Sequence, residues 1–567
     1  MRYMGNIKGE SKKRNIRETK LLDRIEQTDR ILYKMLERRA SESPDLELFR
    51  TVDGEIYSFG AVNNHANQLA NGLSSIGVRP KDTVCWMLPT SPESMGYWFA
   101  LSKCGAVEIC INEAYRGEIL QYVLNDSRAK TLIIHAKYYS RIMEIADGLT
   151  NLQRVVIVGD DELDIGKLVK PLHVELYSHF NFKDKQPVEI AYQEQNPSFH
   201  ETSTIIYTSG TTGQSKGVMI SHHMLFFYGL TYVESIGINK EDIIYHFLPF
   251  FHVSGRQLVG GAIISGARFV LRERFSVTNF WKDIKSNNCT QVVAVGGTPS
   301  LILAEEESPD DGDNPLEVVW AVPALPNIYS KFEERFNTRV TVPFGGTEMT
   351  YITKPDLREG AAKKGSSGIA NDYFEIRIVD YHDNILAHGE IGEIVVRPKI
   401  SEIILQGYWN KPESTVISLR NAWYHTGDLG YLDEQGYLFF TDRKKDSIRR
   451  RGENISSSEV ENIISKHEEV VHCAAVPVAS EIGEDEVKIC LTLRSQTTFD
   501  RVEFIKWCFD RMPYFMVPRF LEILDAMPLT ALGKIEKYKL GEIGANTWDV
   551  EQAGYRITRD GIMPSQR

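Results

Sequence analysis

Residues 203–230 read STIIYTSGTTGQSKGVMISHHMLFFYGL, and the fold turns on what joins the two apolar ends of this stretch. STIIY is a short β-branched run of the kind that forms a strand buried on both faces, and ISHHMLFFYGL is long enough for a helix. Between them sit Gly210 and Gly213, the hydroxyls of Thr208, Ser209, Thr211 and Thr212, and a lone cation, Lys216. A loop from a strand to a helix is where α/β proteins take anions: glycines let backbone N–H groups converge, hydroxyls donate, and a lysine neutralises. A triphosphate tail suits such a loop. The register is not that of a P-loop, in which the lysine follows a glycine and precedes Ser or Thr; Lys216 lies between Ser215 and Gly217. A flexible linker of the same composition is the competing reading, and it leaves unexplained why the run is flanked by a buried strand and a helix.

The rhythm repeats outward from this loop. TVCWML (83–88) precedes the helical pattern SPESMGYWFALSKCG, and AKTLIIHA (129–136), RVVIVGD (154–160), ARFVLR (267–272), TQVVAVGG (290–297), LEVVWAV (316–322) and TRVTVPF (338–344) are further short apolar runs. Continuous rather than alternating hydrophobicity predicts parallel strands with crossover helices. The expected fold is α/β: a large N-terminal domain of layered, mostly parallel sheets over residues 29–441, and a small mobile α+β domain over 442–545. The texture changes after Gly427, and Ser456 with Glu459 forms a capping-box pattern. Val460, Ile463 and Ile464 then share one face, so a helix is expected from near Ser457.

The bulk properties narrow the function. A chain of 567 residues holds roughly three or four compact units at about 150 residues each. With 42% hydrophobic and 25% charged residues it is neither disordered nor fibrous. A net charge of -12 argues against nucleic acid as a partner. The seven cysteines are scattered and never spaced C-x-x-C, which suggests neither a disulfide framework nor a zinc site and fits a reducing, cytoplasmic setting. Residues 1–28 carry Lys12, Lys13, Arg14, Arg17 and Lys20 without an apolar run, and read as a basic, poorly ordered arm. No run approaches the ~20 apolar residues of a transmembrane helix. Residues 546–567 read as a tail without a core pattern.

YTSGTTGQSKGVMISH (207–222) resembles the phosphate-loop signature of the adenylate-forming, AMP-binding superfamily of acyl-CoA synthetases, peptide-synthetase adenylation domains and beetle luciferases, and further motifs follow in that family's order. FLPFFHVSG (247–255) is similar to P-x-x-H-x-x-G, which puts His252 beside the acyl pocket and thiol tunnel. FGGTE (344–348) resembles Y-G-x-T-E: the resemblance implies that Thr347 contacts phosphate, that Glu348 and Thr208 serve the metal, and that Gly345 and Phe344 lie against the nucleotide. Phe344 replaces the usual tyrosine, so stacking on adenine is implied and a phenol hydrogen bond is not. WYHTGDLGYLDEQGYLFFTDRKKD (423–446) matches the ribose-gripping stretch, with Asp428 and Arg443 as the grip and Lys445 at the interdomain hinge. RRRGENISSSEVE (449–461) places Gly452 beside the pantetheine tunnel and is similar to ligases of fatty or carnitine-like acids. PLTALGKIEKYKL (528–540) resembles P-x-T-x-x-G-K-I, whose lysine, here Lys534, bridges the carboxylate and the α-phosphate. WAVPALP (320–326) departs from the family's adenine-facing turn.

The resemblance covers about residues 29–545 and implies an ATP- and Mg2+-dependent ligase that joins a carboxylic acid to coenzyme A through an acyl-adenylate. Two anions, carboxylate and α-phosphate, must meet, so positive charge has to be in place beforehand; Lys534 and a magnesium ion held through Glu348 would supply it. Two alternatives stand beside this expectation: transfer to the phosphopantetheine of an acyl carrier protein, and a catalytically silent nucleotide-binding protein. A luciferase-type oxygenase has no feature in its favour. His222 and His223 lack a third ligand in any metal spacing and read as structural. The acid and the oligomeric state are not written in one chain.

Overall fold

The structure is a computed structural model that describes residues 20–113, 115, 117–159, 175–178, 182, 198–208, 215–295, 298–322, 326–355, 363–443, 448–450, 453–455, 457–479, 485–494, 499–512, 514–530, 533–558 and 561–564. Two large sheets dominate. One has eight strands in the order Gly407–Tyr408, Lys216–Ser221, Thr202–Thr208, Val107–Cys110, Thr83–Met87, Thr131–His135, Arg154–Val158 and Glu175–Ser178. It is parallel from Thr202–Thr208 to the Glu175–Ser178 edge and antiparallel at its other edge. The other has seven, Arg339–Thr341, Val318–Val322, Gln291–Val295, Ile243–His246, Arg268–Leu271, Glu47–Thr51 and Ile56–Ser58, and only the last is antiparallel. Each apolar run singled out in the sequence supplies one of these strands, because strands covered on both faces need side chains that are apolar throughout.

Helices His222–Ile236 and Val253–Ser265 pack on each other, the first also against the eight-stranded sheet and the second against the seven-stranded one. Both are buried along nearly their whole length, as a helix apolar all round must be. Their crossing needs glycine: a Cβ at Gly229 would lie 2.7 Å from the backbone of Gly260. A four-stranded antiparallel sheet, Phe374–Val379, Gly392–Pro398, Tyr424–Leu432 and Leu438–Arg443, follows.

The C-terminal part forms a separate core around Val460, Ile489, Phe504 and Leu521, built on the strands Val470–Ala479, Asp485–Leu493, Phe520–Ile523 and Trp548–Asp549. The expected helix spans Ser457–Ile464 with Val460 and Ile464 buried; Ser456 lies outside the described residues. Packing extends past both expected outer boundaries. Within the arm drawn to residue 28, the backbone N–H groups of Leu21 and Leu22 donate to Glu234 Oε1 at 2.5 and 3.2 Å, and Leu22 is buried. Within the tail drawn from 546, Trp548–Asp549 pairs with Phe520–Leu521, Asp549 accepts from Arg519 at 3.1 Å, and Val550 and Ile557 enter the small core. These contacts are made by short segments of a few residues, too short to leave a periodic signal for a sequence pattern to reveal.

Candidate functional site

The glycine and hydroxyl run does not lead into a helix. Lys216 opens the strand Lys216–Ser221, which folds back antiparallel on Thr202–Thr208 with Thr208 opposite Lys216. This corrects the strand-to-helix reading: Val218 to Ile220 is short and apolar, and periodicity alone cannot separate such a run from the start of a helix. The helix begins at His222, with Ser221 Oγ accepting from Met224 N at 3.0 Å. The run therefore joins two antiparallel strands, and no helix dipole follows it directly. Ser209, Gly210, Thr211, Thr212 and Gly213 lie outside the described residues. At the neck Thr208 Oγ1 donates to Lys216 O at 3.4 Å, and Tyr122 OH donates to Ser215 O at 2.9 Å.

FGGTE forms a second tight hairpin, with Gly345 and Gly346 opposite Tyr351 and Thr350. Gly345 is obligatory in this packing, since a Cβ would sit 2.2 Å from the Thr350 carbonyl oxygen. Phe344 N–H donates to Thr353 Oγ1 at 2.7 Å, and the Phe344 ring lies 5.8 Å from that of Phe440, tilted by 31°. Tyr228 reaches from the buried helix to hold the turn, its hydroxyl 3.0 Å from Gly346 O and 2.7 Å from Thr347 O. Tyr228 is thus a core residue whose hydroxyl holds the site.

Glu348 stands among three phenols. Tyr408 OH donates to its Oε1 at 3.2 Å, and the buried Tyr424 hydroxyl in turn hydrogen-bonds Tyr408. Burial first, and then the Glu348 charge, pushes the ionisation of Tyr228, Tyr408 and Tyr424 upward, so all three stay neutral donors. Lys216 Nζ lies 5.0 Å from the centre of the Tyr408 ring, which places the ring between the hairpin cation and the Glu348 carboxylate. Among the described residues no group of three or more His, Cys, Asp or Glu could hold a metal. A single half-buried carboxylate with phenol support nevertheless fits magnesium, which takes one or two protein carboxylates, substrate phosphates and water.

Asp428 and Arg443 are directly opposite each other on neighbouring antiparallel strands, and the Asp428 charge is felt by Tyr424. The two residues expected to grip ribose are thus adjacent in backbone register; the Arg443 side chain and the residues Lys445 and Gly452 lie outside the described set.

His252 caps the helix Val253–Ser265, its Nδ1 accepting from Ser254 N at 3.2 Å and lying 2.5 Å from Ser254 Oγ. Burial, and then the charge of Lys534, pushes its pKa down to about 3. The second cause is informative, because Lys534 belongs to the C-terminal domain. It sits on a turn where Thr530 N donates to Lys534 O at 2.7 Å and Lys534 N to Thr530 Oγ1 at 3.1 Å. Lys534 is exposed where that turn closes, and its charge acts on His252.

Beneath this histidine lies a buried ion pair that sequence motifs do not mark. Arg256 pairs through Nη1 and Nη2 with the two Glu108 oxygens, the second bond at 3.0 Å, and neither side chain is exposed. Arg256 Nε donates to Phe250 O at 2.7 Å and Nη1 to Thr204 Oγ1 at 3.1 Å, while Trp86 Nε1 donates to Glu108 Oε2 at 2.7 Å. The guanidinium carbon is 5.2 Å from the Trp98 ring centre. One residue thus fastens the segment carrying His252 to the centre of the eight-stranded sheet. His222 and His223 are buried, each with its pKa pushed down to about 4, burial being the largest cause.

Known proteins share this fold. Residues 36–409 match the AMP-binding enzyme family and residues 459–534 the AMP-binding enzyme C-terminal domain. The chain is 31% identical to a crotonobetaine/carnitine–CoA ligase of Salmonella agona over 501 residues, covering 87% of this chain and 95% of that one. ATP-bound MatB from Rhodopseudomonas palustris superposes with a TM-score of 0.80 at 23% identity, covering 90% and 98% of the two chains. The anthranilate CoA ligase AuaEII in complex with anthranoyl-AMP superposes at 0.79 with 24% identity, covering 90% and 96%. With both domain types matched in order and the same layered α/β architecture, this chain belongs to the AMP-binding enzyme family.

Proposed function

We propose that this protein is an AMP-forming acid–thiol ligase that makes an acyl-CoA. The carboxylate of the acid attacks the α-phosphorus of ATP and pyrophosphate leaves; the thiol of coenzyme A then attacks the acyl carbon, the bond to AMP breaks, and the thiol proton passes to water. The observation that carries this reading is that Lys534, on the C-terminal domain, lies near enough for its charge to lower the pKa of His252 on the large domain. A C-terminal ammonium brought to the acyl side of the site suits the first step, in which two anions must approach.

The remaining residues take roles around that encounter. Lys216 and the loop of Thr208, Ser209, Gly210, Thr211, Thr212 and Gly213 hold the β- and γ-phosphates. Phe344 and Gly345 face the adenine, Thr347 the α-phosphate, and Asp428 with Arg443 the ribose hydroxyls. Glu348, with Thr208, would hold Mg2+, which when bound neutralises developing charge on the phosphates. In the second step the C-terminal domain turns about the segment near Lys445, withdrawing Lys534 and bringing Gly452 to the pantetheine channel. Coenzyme A is preferred to a carrier protein because the 31% identical relatives are named CoA ligases. Seven free cysteines, six of them buried, suit a reducing cytoplasm.

The test is a panel of acids, including carnitine, crotonobetaine and fatty acids of graded length, scored by AMP release with and without CoA and by thioester mass. The expected result is CoA-dependent AMP release for at least one acid. Lys534→Ala is expected to lose adenylation while still converting a supplied acyl-AMP to thioester. Thioester formed only on a phosphopantetheinylated carrier refutes the CoA assignment, and no pyrophosphate exchange with any acid refutes the ligase.

A further inference from the structure

The strand that carries Asp428 slips out of register at that residue. On the neighbouring strand Gly392–Pro398, Glu393 pairs with Leu429 and Val395 with His425, so that Ile394 alone faces the three residues Thr426, Gly427 and Asp428. A bulge bends the chain and re-aims a side chain. It also breaks the ladder, and the backbone groups it frees need partners from elsewhere. Side chains supply them here. Glu393 Oε1 accepts from Gly427 N at 3.1 Å. Thr426 Oγ1 donates to Ile394 O at 2.7 Å and accepts from Asp428 N at 3.0 Å. Gly427 has a φ of 72°, a left-handed conformation that glycine takes without strain. Glu393 is itself held in place: it is 5% exposed, and its Oε2 lies 3.2 Å from His425 Nδ1 and 3.3 Å from Arg420 Nη2. Arg420 is fixed in turn by Asp383, which accepts from Nε and Nη2 at 3.1 Å each. A carboxylate shut away from water keeps its charge only among such donors.

We infer that Glu393 is a positioning residue for nucleotide recognition: it fixes the bulge of Thr426, Gly427 and Asp428 and so aims the Asp428 carboxylate at the ribose hydroxyls. The inference rests on the ribose role proposed above for Asp428 and names what enforces it. A carboxylate that selects for hydroxyls has to be held to within about 0.5 Å. On one side Asp428 is already secured, because it stays in register with Arg443. On the other side the ladder is broken across all three residues of the bulge, and a glycine at its centre leaves the chain free to turn. The bond from Gly427 N to Glu393, with the Thr426 hydroxyl beside it, removes that freedom. Arg420 and His425 hold Glu393 ionised and in one orientation, which makes it a stronger acceptor for the Gly427 amide than a backbone carbonyl would be.

The test is calorimetric, uses the full chain and needs no acid. Dissociation constants are measured for ATP and for 2′,3′-dideoxy-ATP, each with Mg2+, and their ratio isolates the ribose hydroxyls. The wild type is expected to prefer ATP by at least about tenfold, the effect of one hydrogen bond to a charged group. Asp428→Ala is expected to remove most of that preference. Glu393→Ala is expected to reduce it nearly as far while binding 2′,3′-dideoxy-ATP as the wild type does, and the Glu393→Ala/Asp428→Ala double variant to lose no more than Asp428→Ala alone. Thr426→Val keeps the side-chain shape and deletes the hydroxyl; it should also reduce the preference, and it decides the question where Glu393→Ala does not fold. A residue that served stability alone would weaken both nucleotides alike and leave the ratio unchanged. A preference lost in Asp428→Ala but kept in Glu393→Ala, or kept in Thr426→Val where Glu393→Ala does not fold, overturns the inference alone. A preference absent from the wild type or unchanged in Asp428→Ala overturns the ribose reading and the inference with it.

Discussion

Arg256→Met isolates the buried support beneath the site. Methionine keeps an unbranched apolar stem of similar reach, so the change removes charge and hydrogen bonds with little cavity. What it leaves is Glu108, wholly buried, its Arg256 bonds gone and the indole N–H of Trp86 still donating at 2.7 Å. The Phe250 carbonyl and the Thr204 hydroxyl each lose the Arg256 donor, previously at 2.7 and 3.1 Å. Removing one partner of a buried pair costs about 3–5 kcal/mol, largely the penalty on the charge left behind. An unsatisfied carbonyl adds about 1–3 kcal/mol where it cannot reach water. Against a typical stability of about 5–15 kcal/mol, that is a large fraction.

The cause can be separated from the size. Arg256→Met/Glu108→Gln removes the stranded charge but leaves the Phe250 carbonyl without Arg256. Urea unfolding followed by tryptophan fluorescence should therefore show the double variant regaining at least about 2 kcal/mol over the single one. Adenylation should stay low in both, because Phe250 and the His252 cap behind it are no longer anchored. If Arg256→Met costs less than about 1 kcal/mol, or Glu108→Gln fails to rescue it, the account of a charge pair bracing the site is wrong. If activity recovers along with stability, the link through Phe250 is wrong.

Other perturbations test neighbouring parts. Tyr408→Phe keeps the ring beside Lys216 and deletes the donor on Glu348 Oε1; a hydrogen bond to a charged group is worth about 1.5–3 kcal/mol, so the Mg2+ needed for half-maximal nucleotide binding in calorimetry should rise about tenfold, and an unchanged titration refutes the role. His222, His223 and His246 have pKa values pushed to about 4 and His252 to about 3, with burial the first cause in each. Between those values and the ordinary 6.5 the unfolded chain binds more protons, so stability must fall as pH falls, by at most about 1.4 kcal/mol per unit for each histidine; a urea midpoint that does not move between pH 7 and pH 5 contradicts this. Glu234→Ala removes the acceptor of the Leu21 and Leu22 amides and the 2.7 Å partner of Tyr373 OH, so trypsin should cut at Arg24 faster, and equal rates would show that the N-terminal segment is held elsewhere.

The sequence made the parallel strands and the motif residues legible, and for a physical reason: strands such as Val155–Val158 are buried on both faces, and chemistry at phosphates demands glycine, hydroxyl and lysine close together along the chain. It concealed what depends on elements meeting in space. The strand Lys216–Ser221 escapes a reading of the sequence, which joins its end at Ile220 to the following helix, because three apolar positions, Val218 to Ile220, carry no period. Tyr408 and Tyr424 are ordinary aromatics until the antiparallel edges bring them to Glu348, 60 residues from the first of them in the chain.

The buried pair shows where such concealment is only partial. Val107–Cys110 is the strand VEIC, wholly buried, and an ionised carboxylate in the middle of such a strand is untenable without a cation. Likewise, the helix VSGRQLVGGAIIS is buried from Val253 to Ile264, and its arginine needs an anion. Each anomaly states a need, and the two are opposite in sign. The strand order answers both, because Val107–Cys110 lies beside Thr202–Thr208, with Glu108 in register with Thr204, and Thr204 Oγ1 is itself an acceptor for Arg256. With 148 residues between the partners, no local pattern connects them; a sequence rule that matches one misplaced charge in a strand to one of opposite sign in a buried helix would have connected them, and would have led directly to the base of the site.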